Sequence, residues 1–493
     1  MNHAKLLSLG YGVVAVGGVW AGLHLVSLNP FLKAWLLAGF VVVTCRLVFA
    51  KVTGRATGGA VIDIQELAKN LQRYQAGYDP TPLIKKTPAD QVFLGLRHDR
   101  GSRPVAVRVP ASTIRKNHIQ LLGVSGTGKS SLAGLLLGQM NARGDAVVVF
   151  DPKDDRNLPH VLASFTRRMY VIDLRPDAPP QLNPLVGASQ SEVEEMLNAA
   201  LQLDPSGDAA VDFHRGEDRD ASLAASRLGA ASLPELAGAC AAREDITERK
   251  NFWRELRQLA ELPAFATREG LDLAQVIADG AVIYVIGSCD NMRVITAQKL
   301  LLQRVLQLVK KRSVEEADRR PVMLMLDELK YLLSNSALRA AGTVRDRNCH
   351  LLVAHQSLQD LEDCGGLNPR AVVGAIHGNT AIKIVYRVLD TRTAKELSDG
   401  SGQQRVWAES TDKAVTDGVE GGGYRESGRA HIPVEMLTSL PKPEADQAAV
   451  GVVFGLPPAF ILSTRWMKPL RKAPPPVAAS ALPESVQTTE ELI

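Results

Sequence analysis

The first fifty residues are almost wholly apolar. Residues 6–28 carry no formal charge, and residues 31–50 form a second apolar run interrupted only by Lys33 and Arg46. About 20 consecutive apolar residues are enough to cross a bilayer as a helix. Asn29-Pro30 supplies a tight turn between the runs, so the pattern predicts a two-helix transmembrane anchor over residues 1–52. Lys33 and Arg46 lie near the ends of the second run, where long side chains reach the interface. Lys5 precedes the hairpin and Lys51 and Arg55 follow it, which places both chain ends in the cytoplasm by the positive-inside rule. A cleaved signal peptide is the alternative, but no small-residue cleavage site stands out and a second apolar run follows at once.

Beyond residue 88 the pattern changes to short apolar runs separated by stretches with helical spacing. Strands are predicted at 92–96 and 105–109, as a hairpin around "RHDRGSRP", then at 119–122, 146–150, 169–174, 280–288, 322–326, 350–354, 382–386 and 449–454. Helices are predicted at 132–140 and 293–311. Strands alternating with helices predict an α/β fold with a doubly wound, mainly parallel sheet. Residues 187–273 break this rhythm. They are rich in Ala, Leu, Glu and Arg, show no strand signal, and predict an all-α insertion domain. "SEVEEMLNAALQL" and "ERKNFWRELRQLAEL" are its helices, and the charged stretch 204–220 is expected to be a mobile loop. The predicted organisation is a membrane anchor (1–52), a partly helical linker (53–87), an α/β domain in two parts (88–186 and 274–470) around the insertion (187–273), and a tail (471–493). That tail is Pro/Ala-rich, then acidic, and too poor in apolar residues to fold alone.

Composition narrows the picture only slightly. Hydrophobic content of 45% and charged content of 22% are ordinary for a folded chain of 493 residues. A net charge of +4 does not announce nucleic acid, so any such contact is local, in a groove or pore. The five cysteines are scattered, with no C-x-x-C pair, which argues against a zinc site or a disulfide framework and fits a reducing compartment.

The candidate chemistry is concentrated in one loop. Gly123-Val124-Ser125-Gly126-Thr127-Gly128-Lys129-Ser130 fits G-x-x-x-x-G-K-[ST], between a predicted strand and a predicted helix that opens at Ser131. Glycines let the backbone wrap a phosphate chain with its N–H groups inward. The helix start aims its positive end at the same place. Lys129 is placed for the β- and γ-phosphates of ATP, and Ser130 for a Mg²⁺ ion. The strand 322–326 ends in Asp327-Glu328, an acid for the metal's water shell followed by one that polarises the attacking water. Gln356 follows the next strand, where a glutamine orients or senses that water. Arg345 and Arg347 precede the same strand and are candidates for a finger onto a neighbouring subunit's nucleotide.

The set "HIQLLGVSGTGKSS", "VVVFDPKDD", "PQLNPL", "LMLDELKYLL" and "VRDRNCHLLVAHQS" resembles the FtsK–HerA superfamily of ring ATPases. Within it the chain resembles type IV secretion coupling proteins of the TraD/TraG type. The apolar hairpin, the helical insertion after "LNPL", "NTAIKIVYRVLDTRTAKELSDGSG" and "IPVEMLTSLPKPEADQAAVGVVFGLPPAF" carry that narrower resemblance, over roughly residues 5 to 465. It implies a RecA-like P-loop fold, ATP and Mg²⁺ as ligands, and ATP hydrolysis that delivers relaxase-bound single-stranded DNA to a type IV secretion channel. It also implies a homo-hexamer in the bacterial inner membrane. On this resemblance Gly123 to Ser131 bind nucleotide, Ser130 and Asp327 hold the metal, and Lys129, Glu328, Gln356 and Arg345 are catalytic. The chain departs from the family pattern at Val344 and Asn348, where glycines are common, and at "DPKDD", where "DPKGE" is usual. A coupling ATPase for protein effectors, a double-strand translocase of the FtsK kind, and a nucleotide-binding scaffold without turnover are the rival readings. The FtsK kind usually has more spans and a winged-helix end, neither of which is visible, and the intact Lys129, Asp327 and Glu328 speak against a scaffold.

Overall fold

The computed structural model describes residues 70–98, 103–312, 320–411, 422–456 and 458–479. The expected membrane anchor, most of the linker and the acidic end of the tail lie outside these residues. Among the described residues no helix is long and apolar enough to cross a membrane.

The strands are β1 (Gln91–His98), β2 (Val105–Pro110), β3 (Ile119–Leu122), β4 (Ala146–Asp151), β5 (Met169–Asp173), β6 (Val282–Ile286), β7 (Val322–Leu326), β8 (Cys349–His355), β9 (Ile382–Val385), β10 (Gln403–Thr411), β11 (Gly422–Ala430), β12 (Ala449–Phe454) and β13 (Phe460–Thr464). The longer helices are α1 (Lys129–Ala142), α2 (Gln190–Leu201), α3 (Ala209–Ser226), α4 (Leu233–Ala241), α5 (Lys250–Ala260), α6 (Met292–Lys311), α7 (Pro369–Asn379) and α8 (Thr391–Asp399). The chain forms two units. One comprises residues 68–401 and 432–493. The other, so far as it is described, is the antiparallel hairpin β10–β11.

The large unit is built on one sheet in the order β2-β1-β13-β12-β9-β3-β8-β7-β4-β6-β5. From β9 to β5 every neighbour is parallel, and from β12 to β2 every neighbour is antiparallel. The continuous apolar runs explain the parallel half. β4, β7 and β8 are buried along their whole length, as strands covered on both faces must be. Alternation then divides each strand between two cores. Val148 and Phe150 of β4 and Leu324 of β7 face one, and Val147, Val149, Met323 and Met325 face the other. β13, which sequence patterning does not mark, joins the β1–β2 hairpin to β12 and so to the rest of the sheet.

Three expectations are corrected. The stretch 204–220 is largely helix: α3 starts at Asp208, whose carboxylate accepts from the N–H groups of Ala210 and Val211. That cap offsets the helix-weakening Gly216 and the charges that made the segment resemble a loop. The helical insertion shares its core with the sheet rather than having one of its own. Met196, Leu197, Leu236, Phe252 and Leu256 pack in the cluster that holds Phe150 and Leu324. A Ser189/Glu192 capping box starts α2, and the Glu192 carboxylate also pairs with Lys311 of α6 at 2.6 Å, fastening the two helices together. Finally, residues 471–479 do not belong to an unfolded tail. Pro476 bridges to Val171, and Val477 N–H donates to the Val171 carbonyl at 2.9 Å, covering the outer edge of β5.

Candidate functional site

The loop between β3 and α1 needs its glycines. Gly123, Gly126 and Gly128 have φ of +146°, +77° and +107°, a region costly for side-chain-bearing residues. A Cβ on Gly128 would also come within 2.2 Å of the Ala449 side chain on β12. Neighbouring strand ends hold the loop from both sides. Gly123 N–H donates to His355 O at the end of β8, and Val124 N–H donates to Arg387 O just beyond β9. Lys129 opens α1, is buried, and folds back so that its ammonium donates to Gly123 O at 2.5 Å. Ser125 and Gly126 stay exposed at the tip, and a Cβ on Gly126 would meet no atom within 4 Å. An open cradle of backbone N–H groups with a buried ammonium below it fits a polyphosphate. Ser130 and Ser131 follow in the first turn of α1, half-buried.

Asp327 and Glu328 lie at the end of β7. β8 intervenes between β7 and the loop-bearing β3, so the acids face the loop across one strand. Both are buried. Burial pushes the Asp327 carboxyl up to about 7, assisted by the Asp151 and Glu328 charges and opposed by Lys153 and Lys129. Burial also lowers the Lys129 ammonium, against the pull of Asp327 and Glu328. A hydroxyl from Ser130 and a carboxylate from Asp327 are the hard oxygen donors that Mg²⁺ takes when it also binds substrate phosphates. Gln356 is the residue after β8, half-buried, its N–H held by the Asp360 carboxylate at 2.9 Å. Lys129, Asp327, Glu328 and Gln356 therefore meet at one end of the parallel strands.

Arg345 does not join them. It sits in the turn Val344–Arg347 before β8, at the opposite end of the sheet. The length of β8 separates the two ends by about 20 Å. Arg345 is exposed and lines a cavity of about 490 Å³ with Ser112, Arg115, Lys116 and Asn348. Arg347 is tied down, donating to the Arg312 carbonyl at 2.8 Å.

Three polar groups of the site are not among the residues the sequence singles out. Asp151, at the end of β4, accepts from the Tyr284 hydroxyl at 2.5 Å and from the N–H groups of Lys153 and Asp155. Lys153 forms an ion pair with Glu328. The available signal was "VVVFDPKDD", an acid and a lysine directly after a buried strand.

Two family models match the chain: "Helicase HerA, central domain" over residues 94–157, and "TraM recognition site of TraD and TraG" over residues 321–442. The "Mobilization protein A" of Escherichia coli is 34% identical over 319 residues, 63% of this chain and 58% of that protein. Parts of the chain are thus similar to TraD/TraG-type coupling proteins, and the chain spans a little over half the length of the mobilization protein it matches. The conjugative coupling protein TrwB has the same fold, with a TM-score of 0.56 over 81% of this chain and 94% of that one at 15% identity. TrwB has also been solved with ADP and Mg²⁺ and with a non-hydrolysable ATP analogue, each with a TM-score of 0.56 over 81% of this chain and 95% of that one. The HerA match spans the glycine loop and Lys153, and the TraD/TraG match spans Asp327, Glu328, Arg345 and Gln356. The two matched regions thus contain the glycine loop and the acids at the end of β7.

Proposed function

We propose that the chain is a conjugative coupling ATPase that uses ATP hydrolysis to drive relaxase-bound single-stranded DNA towards a type IV secretion channel. The observation that carries this reading is the division of the site. Lys129, Asp327, Glu328 and Gln356 gather at one end of the sheet, and Arg345 stands exposed at the other. Such a chain completes its catalytic set only when a neighbour's arginine reaches its nucleotide, as in a ring, here a homo-hexamer.

In the proposed reaction Lys129 and the loop N–H groups hold the phosphates. Ser130 and Asp327 would hold a Mg²⁺ ion, which would supply positive charge against the phosphates. Glu328 accepts a proton as water attacks the γ-phosphorus. The bond to the bridging oxygen breaks, and ADP and phosphate leave. Gln356 orients the water. Arg345 of the adjacent copy stabilises the developing charge. DNA is gripped through its phosphates without base readout. The apolar segments 6–28 and 31–50 anchor the ring in the inner membrane with both ends cytoplasmic. The matched TraM-recognition family and the E. coli mobilization relative favour a DNA-processing partner over a protein effector.

The test is ATPase activity of the full chain in detergent, with and without single-stranded DNA, across protein concentration, with Lys129→Ala as control. Turnover that rises with DNA and steeply with concentration supports the reading. Turnover indifferent to DNA at every concentration moves the cargo to protein.

A further inference from the structure

Glu328, the proposed water-polarising acid, is already paired. The Lys153 ammonium makes an ion pair with its carboxylate, although the two residues are 175 apart in sequence. The same ammonium lies 3.4 Å from the Ser125 hydroxyl at the tip of the phosphate loop. Lys153 thus bridges the acid and the loop, in the space between them where a terminal phosphate would lie.

The surrounding backbone is built to hold it there. One oxygen of the Asp151 carboxylate accepts from the Lys153 N–H, and the other accepts from both the Asp155 N–H and the Tyr284 hydroxyl. Asp154, the next residue, has φ of +55° and pairs with Arg175 at 2.7 Å. Glu328 has φ of +44°. Two side-chain-bearing residues in left-handed conformation, one beside Lys153 and the other its partner, are a cost that a simple surface ion pair does not require.

Physically, an ammonium on a carboxylate weakens it as a base and occupies the lone pairs that would hold water. A terminal phosphate carries more charge than a carboxylate and would compete for the same ammonium. We propose that Lys153 is a γ-phosphate-responsive latch on Glu328: a triphosphate draws its ammonium onto the terminal phosphate and frees the carboxylate to orient water. ADP has no terminal phosphate at that position and leaves the pair closed. This inference rests on the ATPase reading above and adds to it a residue that discriminates ATP from ADP.

The experiment measures the affinity of the full chain in detergent for Mg²⁺–ADP and for Mg²⁺ with a non-hydrolysable ATP analogue, in wild type, Lys153→Met, Lys153→Arg and Lys129→Ala. Lys153→Met is expected to weaken the ATP analogue about tenfold, the size of one charge-assisted contact, while ADP affinity is unchanged. Lys153→Arg restores part of the difference. Melting without nucleotide supplies a second readout: Lys153→Met destabilises wild type but not a Glu328→Gln background. Equal weakening of both nucleotides, or no weakening of either, overturns the latch and leaves the phosphate loop intact. A wild type that binds neither nucleotide overturns the ATPase reading and the latch with it. Loss of both nucleotides in Lys129→Ala alone identifies the loop as the binding site.

Discussion

Gln120 of β3 donates its side-chain amide to Nε2 of His355, at the end of β8, over 2.7 Å. The bond fixes a buried network. His355 Nε2 must then be the acceptor, so its Nδ1 carries the proton and donates to Ser357 O at 2.7 Å. The Gln120 oxygen accepts from Thr380 Oγ1 at 3.1 Å and from His377 Nδ1 at 3.0 Å. The network lies directly beneath Gln356 and the glycine loop, whose Gly123 N–H donates to His355 O. Gln120→Leu fills the space but strands a buried acceptor on His355 and removes the acceptor for His377 Nδ1, while Thr380 Oγ1 keeps the Ile376 carbonyl. We expect a loss of about 1–3 kcal/mol in stability, with a fall in kcat larger than any change in ATP-analogue affinity. Denaturant unfolding and steady-state kinetics measure the two effects.

Acid sensitivity follows from the same histidines. Burial holds His355 and His377 neutral, down to about 4, and His350 down to about 3. Glu396, 3.6 Å from His377, does not overcome that burial. Asp145 lies 3.6 Å from His350, but a neutral ring makes no ion pair with it. Each group binds its proton less readily in the folded state than in the unfolded one. The stability they contribute is present above about 6.5 and is lost as pH falls towards 4. Thermal melts from pH 8 to pH 4.5 should show this decline, reduced in His350→Phe, which removes two ring nitrogens that have no partner.

Asp327 sets a different pH dependence. Its carboxyl is raised to about 7 by burial, and a metal requires the ionised form. Mg²⁺-dependent affinity for an ATP analogue should therefore weaken as pH falls through 7. In Asp327→Asn the affinity should be low and flat over the same range. Calorimetric titrations at pH 8 and pH 6 make the comparison.

The distance between Arg345 and Lys129 predicts complementation. Arg345→Ala alone should lower turnover by a factor on the order of 10³, with nucleotide affinity little changed. Lys129→Ala alone should abolish turnover. Mixing the two variants should recover activity, because a Lys129→Ala subunit still offers Arg345 to the intact loop of its neighbour. No recovery at any mixing ratio would place the arginine's action within its own chain. Arg347→Ala, by contrast, should act through stability, since that side chain is engaged by the Arg312 carbonyl.

Lys299, in the buried face of α6, is held down to about 8 by burial. A lysine with a depressed folded-state pKa destabilises the fold wherever the unfolded chain would be charged. Lys299→Met should raise the melting temperature at pH 7. The gain should shrink as pH rises from 8 towards 10.5, where the wild-type cost disappears.

What could be read from the chain alone was local. The β4 and β7 runs reveal buried strands because a strand covered on both faces must be apolar throughout, and the glycine loop stands out because its backbone conformations demand glycine. The Asp327-Glu328 pair was legible because a strand and its end are adjacent in sequence. α3 misled because its charges and Gly216 outweighed a single capping aspartate, and residues 471–479 misled because an edge pairing needs only backbone groups. The strand order, the β13 link and the insertion's shared core were decided by tertiary structure. So were the pairing of Lys153 with Glu328, 175 residues apart, and of Gln120 with His355, 235 residues apart. These contacts depend on which strands become neighbours, and that choice is made by burial of whole faces, which no local spacing encodes.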